Sequence, residues 1–272
     1  MRSSLKTMPD RDPIITLLTD FGSHDYFSGA MKAVILSIAP AARIVDITHE
    51  IPPQDIHAAA FNLLACYRNF PPGSIHVAVV DPGVGSSRRA ILIECAGQYF
   101  IGPDNGIFSW VCEREDRFRA RELTNESFFL QPVSQTFHGR DVFAPVAAAI
   151  AEGADPEDLG SEIDDVVRLE SIQPVRTADG VLEGAILHID RFGNCITNFS
   201  GSDLGSGGMR LLAGTSEITA LREFYAAEGD ASTDELFMIT GSAGFIEIAA
   251  RNNSAASILR LQRGQPVVLK SA

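Results

Sequence analysis

The sequence predicts an α/β protein in which a doubly covered, mostly parallel sheet domain precedes a smaller β-barrel domain. Three observations predict it. Short apolar runs alternate with helical-period segments up to about residue 80, which is the pattern of a sheet covered by helices on both faces. Beyond about residue 170 the helical periods give way to short strands separated by turn signals, as in a small barrel or sandwich. The length of 272 residues exceeds what one core usually supports, so two domains are expected, 1–170 and 171–272.

The elements follow in order. "PIITLLTDFG" is a buried strand closing on a polar and glycine turn at Asp20. In "YFSGAMKAVILSIAP" the residues Phe27, Ala30, Met31, Val34, Ile35 and Ile38 recur at helical spacing until Pro40 stops them. "ARIVDIT" is a second strand, "IHAAAFNLLACYRNF" a second helix, and "SIHVAVV" a third strand leading to Asp81. If these strands are parallel, Asp20 and Asp81 lie past carboxyl ends on one edge of the sheet, where open α/β sheets bind ligands.

"AILIECAGQYFIG" then predicts an antiparallel hairpin, with "PDNG" as a turn after it, and "TFHGRDVFAPVAAAIAEG" leads into an alanine-rich helix ended by Gly153. Past the polar stretch "SIQPVRTADG" the predicted strands are "LEGAILHID", "NCITNFS", "ELFMIT", "GFIEIAA", "SILRL" and "PVVLK". No internal repeat is visible.

Composition narrows the function classes. Twenty-two Lys and Arg against thirty-five Asp and Glu give a net charge of −13, which repels a phosphate backbone and argues against nucleic acid. The opening residues hold no signal-like apolar segment and nothing reaches the length of a membrane helix, so a cytoplasmic protein without a membrane partner is expected. Cys66, Cys95, Cys112 and Cys195 lie far apart in apolar surroundings and form no CxxC, which predicts buried free thiols.

Three stretches carry candidate chemistry. In "TDFGSHDYF" Asp20 and Asp25 either cap a turn and a helix or, for Asp20, hold a pair of ribose hydroxyls at the sheet edge. No GxGxxG pattern accompanies it, so a nucleoside without phosphates fits better than a dinucleotide. In "DPGVGSSRR" the arginines are either solvated or one of them, Arg88, pairs with Asp81 across the loop. "TFHGRD" supplies His138, with Asp141 as a possible N-cap. A metal-dependent hydrolase using Asp20, Asp81 and His138 as ligands is a reading these residues leave open.

Taken together, "LLTDFG", "VVDPGVGSSRR", "IGPDNG", "TFHGRDVFAP", "DRFGNCITN" and "GSAGFIEIAARNNSAA", in that order, resemble the S-adenosyl-L-methionine hydroxide adenosyltransferases, relatives of the fluorinases and chlorinases. The resemblance spans roughly residues 13–270. It implies cleavage of S-adenosyl-L-methionine to adenosine and L-methionine by water attacking the ribose 5′ carbon, without a cofactor. It also implies a homotrimer whose sites lie between the N-terminal domain of one subunit and the C-terminal domain of its neighbour.

By the same resemblance Asp81, Arg88 and His138 position the water, and Asp20 binds ribose with Phe21 beside it; in such a reaction Gly83 and Gly85, lacking side chains, would let backbone approach the ligand. Asp190, Phe192 and Asn194 of "DRFGN" fall to the adenine and methionine ends, and Ser242 and Glu247 to further substrate contacts. From the residues alone, Phe192 could equally pack in a core and Glu247 face outward from a strand. The halogenase alternative is disfavoured: halogenases lack the Asp-Arg-His set and place small hydroxyl residues by the halide, and fluorinases carry an insertion absent from "RRAILIECAGQYFIGPDNG". A binding module that senses the substrate without turnover is the non-enzymatic alternative.

Overall fold

A computed structural model of the chain describes residues 12–115, 117–205, 208–225 and 235–271; the opening stretch 1–11, read above for targeting signals, lies outside them. The chain divides into two compact units, Met1–Glu170 and Ser171–Ala272. Among the described residues no helix is long and apolar enough to cross a membrane.

The first unit is built from β1 (Ile14–Thr19), α1 (Phe27–Ile38), β2 (Arg43–Thr48), α2 (Ile56–Cys66), β3 (Ile75–Val79), β4 (Ala90–Cys95), β5 (Gln98–Pro103), α3 (Ser109–Glu115), β6 (Phe118–Glu122), α4 (Ala144–Ala151) and β7 (Glu162–Ile163). Its sheet has the order β2-β1-β3-β5-β4-β6-β7. β2, β1, β3 and β5 run parallel, and β4, β6 and β7 continue the sheet in antiparallel pairings that begin with the predicted β4–β5 hairpin.

Side-chain alternation along the strands gives the sheet two buried faces. Ile15 and Leu17 of β1 and Ile75, Val77 and Val79 of β3 pack against Met31 and Ile35 of α1 and the small apolar residues of α4. Met31 and Ile35 are one helical turn apart, which is why this helix buries a stripe; Ile38, predicted on the same stripe, ends the helix 40% exposed. Asp25 does not cap α1, whose N-cap residue is Tyr26 without a side-chain bond. α2 is capped instead by Asp55, which accepts from Ala58 N–H at 2.9 Å.

Thr16 and His76 face the other side, hydrogen-bonded to each other at 2.8 Å, with the imidazole stacked on Phe100. His76 is fully buried, and burial pushes its pKa down to about 4. In the unfolded chain the same ring titrates near 6.5, so between those pH values the unfolded state binds the extra proton and stability falls as pH drops. Urea unfolding of wild type is expected to lose about 3 kcal/mol from this group between pH 7 and pH 4. His76→Leu should flatten that part of the slope; an unchanged slope in the variant would overturn the assignment.

The second unit contains β8 (Val175–Arg176), β9 (Leu182–Ile189), β10 (Cys195–Ser200), β11 (Met209–Ala213), β12 (Ser216–Ile218), β13 (Leu221–Arg222), β14 (Leu236–Thr240), β15 (Phe245–Ala250), α5 (Ala255–Leu259) and β16 (Pro266–Ser271). The strand path is β12-β11-β16-β9-β10-β15-β14-β13, with β8 added on β9. It curls into a half-barrel around a core that includes Ile186, Phe199, Leu211, Ile248 and Leu269, and its end strands β12 and β13 do not pair among the described residues.

"SILRL" is a correction. It belongs to the short helix α5 rather than a strand, because the Ser254 hydroxyl accepts from Ser257 N–H at its start and Arg260 adopts a left-handed conformation (φ 52°) that stops it. All four cysteines are free, and Cys95, Cys112 and Cys195 are buried while Cys66 is half-buried.

Candidate active site

Because β1 and β3 are adjacent and parallel, the turns after them emerge together. Asp20 follows β1 directly, and Asp81 follows β3 after Val80. A cleft of ≈ 270 Å³ opens there, lined by residues that include Asp20, Phe21, Gln54, Asp81, His138 and Gly139.

Two residues of the cleft wall, Asp81 and His138, are joined from behind by an arginine fork. Arg88 Nε donates to both oxygens of Asp81, at 2.9 and 3.0 Å. Its Nη2 donates to Asp81 Oδ2 and, at 2.7 Å, meets Nδ1 of His138. Both side chains of the ion pair are largely shielded, 11% exposed for Arg88 and 5% for Asp81, so removing either would strand a buried charge. The guanidinium also lies over the ring of the buried Phe143, its central carbon 5.4 Å from the centroid. Burial lowers the His138 pKa first, the Arg88 charge adds to that, and Asp81 and Asp141 oppose it, so the ring is neutral at pH 7.

A π-helical turn, Gly139–Phe143, brings His138 and Phe143 to the same arginine. Asp141 is not an N-cap, as "TFHGRD" had suggested. Fully buried, it accepts from Ser134 N–H at 2.8 Å and from Arg140 at 2.6 and 2.9 Å, while its own carbonyl accepts from Leu130 N–H. These bonds tie down the loop that carries His138.

The two adjacent arginines of "SSRR" diverge. Arg89 turns away from Arg88, donates to the buried carboxylate of Asp104 at 2.9 Å and to Asp165 at 2.6 Å, and so pins the segment that ends the first unit. Gly85 has φ 75°, and a Cβ on it would overlap the Gln135 carbonyl oxygen, so its small size lets two loops meet.

The Asp20 Oδ2 accepts the backbone N–H of Gln54 at 2.8 Å, and Phe21 packs edge-on against Phe137 at 5.9 Å. Gln54 was not among the residues singled out from the sequence. Its signal was the "IPPQD" turn after β2, which must also emerge at the carboxyl edge; its left-handed backbone (φ 66°) carries no sequence mark.

In the second unit Asp190 and Asn194 close the turn between β9 and β10: Asp190 accepts from the N–H groups of Phe192 and Asn194, at 2.9 and 2.8 Å, and from the Asn194 amide at 2.9 Å. Phe192 does not pack in a core. It stands 78% exposed at the tip of that turn. Glu247 does not face outward either; it is 8% exposed, accepts from Tyr225 Oη at 2.7 Å, and burial raises its pKa. Ser242 lies exposed in the turn between β14 and β15.

The order of these motifs along the chain is that of one family. Residues 15–160 match the SAM hydroxide adenosyltransferase N-terminal domain, and residues 184–268 match its C-terminal domain. The chain belongs to the SAM hydroxide adenosyltransferase family. Family members similar to this one include the (R)-S-adenosyl-L-methionine hydrolase of Thermus thermophilus, 35% identical, which covers 94% of this chain and 98% of its own. The enzyme of the same name from Methanocaldococcus jannaschii is 44% identical over 68% of this chain and 66% of its own. A fluorinase from an Actinoplanes species is 28% identical over 73% of this chain and 75% of its own. A solved structure of a conserved protein from Thermotoga maritima superposes on this adenosyltransferase-family chain with a TM-score of 0.86 at 35% identity, covering 94% of this chain and 99% of its own.

Proposed function

We propose that the protein hydrolyses S-adenosyl-L-methionine to adenosine and L-methionine by in-line attack of water on the ribose 5′ carbon. The observation that carries this reading is the single guanidinium joining a carboxylate and a neutral imidazole at the cleft that also holds Asp20. The sulfonium leaves as a neutral thioether and needs no acid. The difficulty is the water, which must be stripped of solvent, aligned opposite sulfur and relieved of a proton; Asp81 and His138 supply its polar partners, and Asp20 would hold the ribose hydroxyls so that the 5′ carbon is fixed.

No cofactor enters this chemistry. Arg88 Nη2 lies between Asp81 Oδ2 and His138 Nδ1, where the metal-hydrolase reading would put the ion. The Asp81 carboxylate at the cleft also disfavours a halide as the nucleophile, because like charges repel. The second-unit residues Asp190, Phe192, Asn194, Ser242 and Glu247 would complete a neighbouring subunit's site in a cytoplasmic homotrimer, as the family resemblance implies; the exposed Phe192 is consistent with a partner surface.

Purified protein incubated with S-adenosyl-L-methionine in oxygen-18 water, with chelator and chloride varied, is expected to release adenosine labelled at the 5′ oxygen regardless of either addition. Chlorinated nucleoside would place it with the halogenases. Loss of turnover with chelator would restore the metal reading, and bound, intact substrate would make it a sensor.

A further inference from the structure

We infer that Arg88 locks His138 as the Nε2–H tautomer, so that His138 donates a hydrogen bond to the attacking water and the Asp81 carboxylate takes the water's proton. This rests on the hydrolytic reading and deepens it by dividing the roles of two residues that otherwise look interchangeable.

The reason is a count of donors. A guanidinium has N–H groups and no acceptor. With Arg88 Nη2 2.7 Å from His138 Nδ1, that ring nitrogen must present its lone pair. A neutral imidazole carries one N–H, which is therefore on Nε2. Among the described residues Nε2 has no hydrogen-bond partner, and His138 lines the cleft, so Nε2–H is the polar group the ring offers there. Protonating the ring would set an N–H against the guanidinium and break the contact that orients it. In this arrangement His138 has no lone pair facing the cleft and cannot act as the base.

Asp81 can. Oδ1 receives one Arg88 bond and keeps a further lone pair, and Asp81 also lines the cleft. A carboxylate held by arginine is a weak base, but a weak base suffices: once the water oxygen has bonded to carbon it is part of a protonated alcohol, a much stronger acid than any carboxylic acid. The electrons balance as follows. A water lone pair forms the C–O bond, the C–S bond breaks with its pair remaining on sulfur, one water proton passes to Asp81 and then to solvent, and the other stays on the 5′ hydroxyl of adenosine.

The test is nitrogen-15 NMR of histidine-labelled protein at the pH of maximal turnover, with His138 assigned as the signal missing from His138→Gln or His138→Asn. An unprotonated Nδ1 and a protonated Nε2 are expected, and Arg88→Ala should remove the bias between them. A protonated Nδ1 in the wild type would overturn the inference. Kinetics give a second readout. His138→Gln keeps an N–H donor without a base and should lose about tenfold, while Asp81→Asn loses a base and should fall on the order of 10²–10⁴-fold. Equal losses in the two variants would overturn the inference. The tautomer is read on resting protein, so its failure is distinguishable from a failure of adenosine to form.

Discussion

Arg88→Ala is expected to abolish most turnover, by about 10²–10⁴-fold in kcat/KM, because one substitution removes both the clamp on Asp81 and the anchor of His138. It should also destabilise the first unit by about 3 kcal/mol, since it strands a carboxylate that is 5% exposed. Arg88→Lys separates the two effects. Lysine keeps the charge and most of the stability, but a single ammonium on a flexible stem cannot hold a carboxylate bidentately while reaching the imidazole, so activity should stay low. Steady-state kinetics alongside urea melts measure both. Arg88→Ala within about threefold of wild type would sink the account of the fork, because a fork that matters must cost at least a hydrogen bond in the transition state.

Gly85→Ala is expected to cost about 2–5 kcal/mol and to lower activity with it. Two penalties combine: an alanine forced to φ 75°, and a methyl group driven into the Gln135 carbonyl, a backbone atom that cannot rotate away. Relief requires the loop carrying His138 to move, which should disturb the contact between Nδ1 and Arg88. Gly153→Ala is the control. It has φ 91° but nothing within 4 Å of its added methyl, so it meets only the backbone penalty of about 1 kcal/mol. Equal shifts in the urea midpoints of the two variants would show that the close approach at Gly85 has no energetic weight.

These expectations draw on different depths of information. The aspartates at the strand ends were legible because a buried strand must be apolar along its length, so the first carboxylate after it marks where the chain leaves the core. The same logic located α1, through residues such as Met31 and Ile35. It failed for "SILRL", where an apolar run too short to distinguish periods 2 and 3.6 was decided by the Ser254 cap and the left-handed Arg260. It also misplaced the acids: Asp25 and Asp141 have the right residue type for caps, but Asp141 spends its oxygens on Ser134 and Arg140.

The sequence by itself determined that this protein has a covered sheet followed by a β-rich unit, and that its candidate site residues fall in a few short motifs at strand ends and ahead of a helix. Those are local matters, because side-chain periodicity and turn chemistry act within about ten residues along the chain. Only the tertiary structure decided that Arg88 takes Asp81 and His138 while its neighbour Arg89 takes Asp104 and Asp165, that Gln54 reaches Asp20, and that Gly85 yields space to Gln135. Each of those pairs is separated in sequence by many residues or by a turn of unpredictable path. Which partner a charge finds depends on the order in which strands are laid side by side, and that order is fixed by burial of the whole sheet rather than by any stretch of it.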